Sequence, residues 1–500
     1  MPPRPRLGSI EAPIVQSAPK PPPADLQSVL RDRFALDSLY PIQQRVIDRL
    51  MTGKHALVVL PTGGGKSLCY QLPALALPPT HAGPGVTLVF SPLIALMEDQ
   101  VQALRRKGIA ASFVNSTLDR RTREKRYAEL AQGRYEIFYA TPERMEKPEF
   151  VRALSECPGG VKLLAIDEAH CISKWGHDLR PAYQRVGEFR RILGNPTTIA
   201  LTATATKAVR EDIRAVLGLD ENAMPLFALP LDRPNLELNC EEVWDDDDKV
   251  RAIKSLCARR PGTGIVYFAL IKHLDQMADR LRRELPDRDV VMYHGRLDPR
   301  DKRRILKRFI EATPDDNLLL CATNAFGMGV DKPDIRFIAH AEIPGSVEAY
   351  FQEVGRAGRD GEPSECLLLY AQADLLIQQR FIEWANPTPD ELMEASVLLE
   401  RRRHADVDED ELRVELFGKG QGEGKAQHLM ITLEKLGVLE ATGVPGRARF
   451  VRALRDDELD PEEIAAKRQR DLERLYEMVK MTRSESIWRF VLDYFELEPK

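Results

Sequence analysis

The sequence predicts an α/β protein in which two parallel-sheet domains stand in tandem, followed by a mainly helical region. Three observations predict it. Short apolar runs alternate with helical or polar stretches across residues 25–375, a rhythm that argues for parallel strands covered on both faces. The rhythm breaks near 229–248, where Asp232-Arg-Pro-Asn235 and four consecutive aspartates interrupt it. From Leu376 the chain turns helical and rich in charge.

In chain order, residues 1–24 carry eight prolines and no aromatic ring, too little apolar surface to order themselves. They read as a disordered tail, with a partner-binding arm as the lesser reading. The first domain, 25–228, opens with a helical pattern, and its strands are expected at 56–60, 86–91, 136–141, 162–167 and 198–204. The second, 229–375, has its strands expected at 264–269, 289–294, 317–323, 335–339 and 365–370. In the last region, 376–500, helices at 408–417 and 425–438 and a hairpin at 440–451 are compatible with a small winged helix over about 404–455. Any helical bundle with a hairpin reads similarly. An amphipathic helix pair over about 461–495 ends it.

Composition narrows the function. A chain of 500 residues suggests about three domains of roughly 150 residues each. Apolar residues at 43% and charged residues at 30% describe a globular protein. A net charge of −5 excludes a bulk-basic nucleic-acid binder, so any such contact must be local. Seven cysteines stand scattered with no C-x-x-C pair, which reads as reduced thiols rather than a disulfide framework or zinc cage. The lack of a long apolar run or a leader pattern sets the expectation of a cytoplasmic chain with no membrane partner.

Two motifs carry chemistry. Leu60-Pro-Thr-Gly-Gly-Gly-Lys-Ser67, between an apolar strand and a helix, reads as a phosphate-binding loop. Thr62, Gly63, Gly64 and Gly65 let backbone N–H groups approach an anion, Lys66 reaches the β- and γ-phosphates, and Ser67 ligates Mg²⁺. Leu60 stands where the pattern has its first glycine. A bland glycine-rich turn would explain the glycines but not the Lys-Ser behind them. Downstream, Leu163-Leu-Ala-Ile-Asp-Glu-Ala-His170 is an apolar strand ending in two carboxylates. Asp167 is placed to hold Mg²⁺ and Glu168 to act as general base on water.

Together with Ser91-Pro-Leu-Ile-Ala-Leu-Met-Glu-Asp-Gln100, Thr202-Ala-Thr-Ala205, Ala322-Thr-Asn-Ala-Phe-Gly-Met-Gly329 and Gln352-Glu-Val-Gly-Arg-Ala-Gly-Arg-Asp-Gly361, these motifs resemble the RecQ family of DNA helicases. The resemblance covers Asp25 to about Gln379, with the motifs in family order. Its most specific piece is Cys171-Ile-Ser-Lys-Trp-Gly-His-Asp-Leu-Arg-Pro-Ala-Tyr183, which looks like the aromatic-rich loop that couples DNA contact to hydrolysis.

The resemblance implies two RecA-like domains, ATP and Mg²⁺ as cofactors, and single-stranded and forked DNA as partners. It also implies 3′ to 5′ movement, unwinding in repair and recombination, and nucleoid association. Gln43 would read the adenine edge, with Tyr40 where the family has arginine. Arg356 and Arg359, three apart, would approach the γ-phosphate from the second domain, and Asp331 would support that interface or be an ordinary surface carboxylate. Ser91, Pro92 and Thr141 would hold DNA phosphates. Trp175, His177 and Arg180 would touch DNA from the aromatic-rich loop, Trp175 otherwise being a core ring, and Leu179 replaces an expected phenylalanine. His294 is open between a coupling role and a buried, satisfied histidine. The basic runs at 120–126 and 300–308 read as solvated helix faces. Two alternatives stand beside the helicase: an RNA-directed ATPase, and a DNA-binding or annealing protein with weak unwinding.

Many RecQ relatives carry zinc on the helix pair that 461–495 resembles. Here Ser484 and Ser486 stand near the cysteine positions, the last cysteine is Cys366, and His404 and His428 are too few to rebuild a four-ligand site. The expectation is no zinc, and a helix pair held by apolar packing through Leu472, Leu475, Trp488 and Phe490.

Overall fold

The strands are built from the apolar runs. In the computed structural model the first sheet consists of β1 (Ala56–Val59), β2 (Val86–Phe90), β3 (Ala111–Val114), β4 (Ile137–Ala140), β5 (Val161–Ile166), β6 (Thr197–Thr202) and β7 (Leu226–Ala228). They are ordered β3-β4-β2-β5-β6-β1-β7, and every pairing is parallel. Every residue of β1 and β2 is buried, as strands covered on both faces require. The second sheet holds β8 (Leu236–Glu242), β9 (Gly264–Tyr267), β10 (Asp289–Tyr293), β11 (Leu318–Ala322), β12 (Phe337–His340) and β13 (Ser364–Tyr370). Its order is β10-β11-β9-β12-β13-β8, again all parallel. The third is a small antiparallel sheet, β14 (Asp406–Asp408), β16 (Arg447–Phe450) and β15 (Leu439–Ala441), beside the helices Glu409–Phe417 and Lys425–Lys435.

The structure describes residues 26–61, 63–92, 94–115, 118–173, 181–229, 233–327, 332–402, 406–419, 422, 424–442 and 446–496. The proline-rich tail, Thr62, Trp175, His177, Leu179, Arg180, Asp331 and His404 lie outside them, as does the hairpin turn at 443–445.

Four strands are unexpected: β3, β7, β8 and β14. Each is the edge of its sheet. β8 also lies inside the stretch read as the domain join, and it pairs along its whole length with β13.

The terminal helix pair, Pro461–Thr482 and Ile487–Phe495, turns Leu475, Met478, Met481, Ile487, Val491 and Phe495 inward. Leu472 corrects the expectation, being 37% exposed. At about 100° per residue it stands about 120° round the helix from Met478, outside the buried arc. Trp488 and Phe490 are partly buried against the same core, as expected. The two serines have work of their own: Ser484 Oγ donates to the Met481 carbonyl at 2.7 Å, and Ser486 Oγ caps the last helix by accepting from the Arg489 N–H at 3.3 Å.

One apolar cluster runs from Leu57 and Val59 of the first domain through Phe351 of the second into Val491 and Phe495. Burying a side chain such as Phe495 stabilises by about 1.5–3 kcal/mol, so the last helix is part of the core shared by the two domains. All seven cysteines are free thiols. Among the described residues, no helix is long and apolar enough to cross a membrane.

Candidate nucleotide cleft and DNA face

Three neighbouring strands, β5, β6 and β1, end on one edge of the first sheet, so the segments that follow them meet. That carboxyl edge is where open parallel sheets bind ligands. After β1 the glycines lead into the helix Leu68–Ala76, with Gly63 and Gly65 at φ of 84° and 72°, conformations that favour glycine. Lys66 Nζ donates to the carbonyls of Leu60 at 3.0 Å and Pro61 at 3.3 Å. Burial holds its pKa below the ordinary lysine value, while Glu168 and Asp167 pull the other way and Arg359 adds to the depression. Its present partners are neutral oxygens, which an anionic phosphate outcompetes.

After β5, the Asp167 N–H donates to the Phe90 carbonyl at 2.8 Å, continuing the sheet. Burial first, and then Glu168, raise the Asp167 carboxyl to about 7, against the pull of Lys66. Glu168 sits in left-handed backbone at φ 49°, a strain of about 1–3 kcal/mol that clusters at functional sites. Its carboxylate lies 3.3 Å from His170 Nδ1, and the same nitrogen lies 3.0 Å from Thr202 Oγ1 at the end of β6. Burial pushes His170 down, but Cys171 and Glu168 hold it at about 10. The imidazole thus ties the general-base candidate to the neighbouring strand.

Gln43 is 3% exposed. Its Oε1 accepts from the Tyr40 N–H at 2.9 Å, and its Nε2 donates to the Gly65 carbonyl at 3.2 Å. The amide braces the phosphate loop, while the Tyr40 ring beside it is 66% exposed.

The second domain supplies the opposite wall. Ser346 Oγ accepts from the Ala349 N–H at 3.2 Å and starts the helix Val347–Val354. Gln352 on that helix reaches Thr204 Oγ1 of the first domain at 3.5 Å. The two arginines that follow make different contacts. Arg356 is buried and donates to the Gly327 carbonyl inside its own domain. Arg359 lies along the phosphate loop: a Cβ placed on Gly63 would be 3.4 Å from Arg359 Cδ. Arg359 borders the phosphate loop and Arg356 is held at the Gly327 carbonyl, and both lie near Tyr267.

On the other half of the first sheet's carboxyl edge, Ser91 and Pro92 follow β2 and Thr141 follows the adjacent β4. The Ser91 N–H donates to the Ala140 carbonyl at 3.1 Å, and its buried Oγ has no hydrogen-bond partner among the described residues. Arg120 with Glu124, and Arg304 with Asp301, balance the basic helix faces locally.

Comparison with known proteins gives this arrangement its family. Residues 40–212 match the DEAD/DEAH box helicase model and 248–361 the helicase conserved C-terminal domain. The probable ATP-dependent DNA helicase RecS of Bacillus subtilis is 39% identical over 406 residues, which is 81% of this chain and 78% of RecS. The chain belongs to the RecQ/RecS family of ATP-dependent DNA helicases. The RecQ helicase of the same organism is 42% identical over 361 residues, 71% of this chain but 58% of that protein, so the chain spans little over half of the RecQ length. Among solved structures, the helicase MrfA bound to DNA aligns over 86% of this chain and 62% of its own with a TM-score of 0.56 at 18% identity. Saccharomyces cerevisiae Dbp5 bound to RNA aligns over 71% of this chain and 90% of its own, with a TM-score of 0.54 at 17% identity. These two show the fold alone.

In this RecQ-family chain the structure gathers Gln43, Gly63, Gly64, Gly65, Lys66, Asp167, Glu168 and Arg359 at one cleft, with Ser67 opening the helix behind the loop. Sequence reasoning assigns no role to His170 or Thr202. Their signal is position, since each sits in a motif ending one of two neighbouring strands.

Proposed function

We propose that the chain is an ATP- and Mg²⁺-dependent motor that moves 3′ to 5′ along one DNA strand and separates forked duplex in repair and recombination. The observation that carries the reading is Arg359 of the second domain lying along Gly63 of the first. A charge delivered across the domain boundary makes hydrolysis depend on closure, which is how a two-domain motor couples chemistry to movement.

The residues fit the nucleotide and its metal. Gly63 and Gly65 leave the loop free of side chains, and Lys66 exchanges two carbonyls for phosphate oxygens. Two partly buried carboxylates near a single ammonium, one of them raised to about 7, make a site that takes a dication. Ser67 and Asp167 would hold Mg²⁺, which neutralises phosphate charge. Glu168 takes the proton of the attacking water, and His170 orients Glu168. Arg359 stabilises charge on the transferring phosphoryl group. Arg356 braces the Gly327 backbone, and Gln43 reaches adenine by exchanging one of its two present bonds.

Ser91, Pro92 and Thr141 grip DNA phosphates without reading bases, and Trp175, His177 and Arg180 also contact DNA. The winged-helix-like unit takes the duplex. The last helix pair needs no zinc, and the protein works in the cytoplasm at the nucleoid. Lys66→Ala tests the reading: DNA-stimulated hydrolysis is lost while single-strand binding persists. Stronger stimulation of the unaltered protein by RNA than by DNA would overturn the choice of nucleic acid.

A further inference from the structure

The last helix, Ile487–Phe495, touches both motor domains at the back of the cleft. On the second-domain side, Trp488 Nε1 donates to the Leu236 carbonyl at 2.9 Å, and Tyr494 OH donates to Glu348 Oε1 at 2.8 Å. Phe351 packs its ring on Trp488 and Phe495, with centroids 6.1 and 5.7 Å apart. Glu348 and Phe351 lie on the helix that carries Gln352 and leads directly to Arg359. On the first-domain side stands Arg210, 7% exposed, in the helix Lys207–Leu217. Its Nη1 donates to the Phe495 carbonyl at 3.2 Å and to the Ala205 carbonyl at 3.3 Å.

This geometry is a closed circuit. Ala205 follows Thr204, which faces Gln352 across the cleft. Phe351, next to Gln352, rests on Phe495, and the Phe495 carbonyl returns to Arg210. A guanidinium at the carboxyl end of a helix also meets the negative end of the helix dipole, in a buried place where that attraction is least screened. Breaking a buried charged hydrogen bond is costly, so the circuit holds one separation of the two walls.

We propose that Arg210 and the last helix are positioning elements for hydrolysis: through Phe351 they hold the helix Val347–Val354 at the distance that lays Arg359 on the phosphate loop. The proposal rests on the reading of Arg359 as the group that stabilises transition-state charge. Arg210 itself bonds the backbone carbonyls of Ala205 and Phe495. A small misplacement of a distant catalytic group costs about tenfold or more in turnover.

The experiment is a double-mutant cycle in the full chain, read as DNA-stimulated kcat and KM for ATP. Arg210→Met keeps the bulk of the stem and removes the donor. It should lower kcat about tenfold and leave KM for ATP within about twofold. Tyr494→Phe, on the second-domain side, should shift kcat in the same direction by a smaller factor and keeps the test open if Arg210→Met does not fold. In an Arg359→Ala background both substitutions should lose their effect. Full, multiplicative losses there would overturn the proposal while leaving Arg359 in its role, and so would an unchanged kcat in Arg210→Met or a raised KM with kcat intact. If Arg359→Ala alone leaves kcat unchanged, the prior reading of Arg359 fails instead.

Discussion

Gly65→Ala tests how the phosphate loop is held, because two separate costs can be worked from the structure. The backbone there has φ of 72°, and a side chain in left-handed conformation costs about 1–2 kcal/mol. The added Cβ would also collide with Gln43 Nε2, forcing out an amide that now makes bonds of 3.2 Å to the Gly65 carbonyl and 2.9 Å from the Tyr40 N–H. Losing one or both removes about 1 kcal/mol each, for a total of about 2–4 kcal/mol. The cost falls on the folded state, so Gly65→Ala should lower stability by about that amount. The collision is a pairwise term. In a Gln43→Ala background, Gly65→Ala should therefore cost only the backbone strain, giving a coupling of about 1–2 kcal/mol. Urea melts of the four proteins measure it. Additive costs would refute the account of Gln43 as a brace on the loop.

Arg359→Ala should cut turnover by about 10³ to 10⁵ while ADP affinity stays nearly unchanged, since the group acts on transition-state charge. Equal losses in rate and affinity would make it a ground-state ligand. His55, just before β1, accepts the Thr198 N–H at Nδ1 at 3.0 Å, and burial, with Arg190 and Arg49, holds its pKa at about 4. The folded value lies below the unfolded one near 6.5, so the unfolded chain takes the proton first; stability is complete above about pH 6.5 and declines as pH falls toward 4. Because the residue is partly exposed, the loss should be about 1–2 kcal/mol after solvent screening. Urea melts at pH 7 and pH 5 check it, and a His55 titration midpoint near 6.5 would contradict it. Elemental analysis should find no stoichiometric zinc, and the melting temperature should not move in strong chelator; bound zinc with a collapse of stability would reverse that reading.

The interior of the fold was legible and its margins were not. Strands such as β1 and β5 show continuous apolar runs because both faces are covered, and their expected bounds fall within about two residues of the observed ones. β8, Leu-Glu-Leu-Asn-Cys-Glu-Glu, lies at an edge, carries three carboxylates and shows no such run. β3 is buried but only four residues long, and β7 and β14 have three each. At the site, glycines, lysine and paired carboxylates announce themselves by spacing. The different contacts of Arg356 and Arg359 do not, because they depend on where the Gly327 carbonyl lies after folding. Arg210 shows no motif at all; its partner is a backbone carbonyl 285 residues away.

The central claim is that ATP hydrolysis in this cleft drives strand separation. Its most direct test is displacement of a labelled strand from a forked duplex with a 3′ tail, measured with ATP, without ATP, and with the Lys66→Ala protein. The account predicts displacement with ATP alone, none in the other two reactions, and none on a duplex carrying only a 5′ tail. Displacement that persists without ATP or in Lys66→Ala, or hydrolysis stimulated by DNA with no strand released, would contradict it.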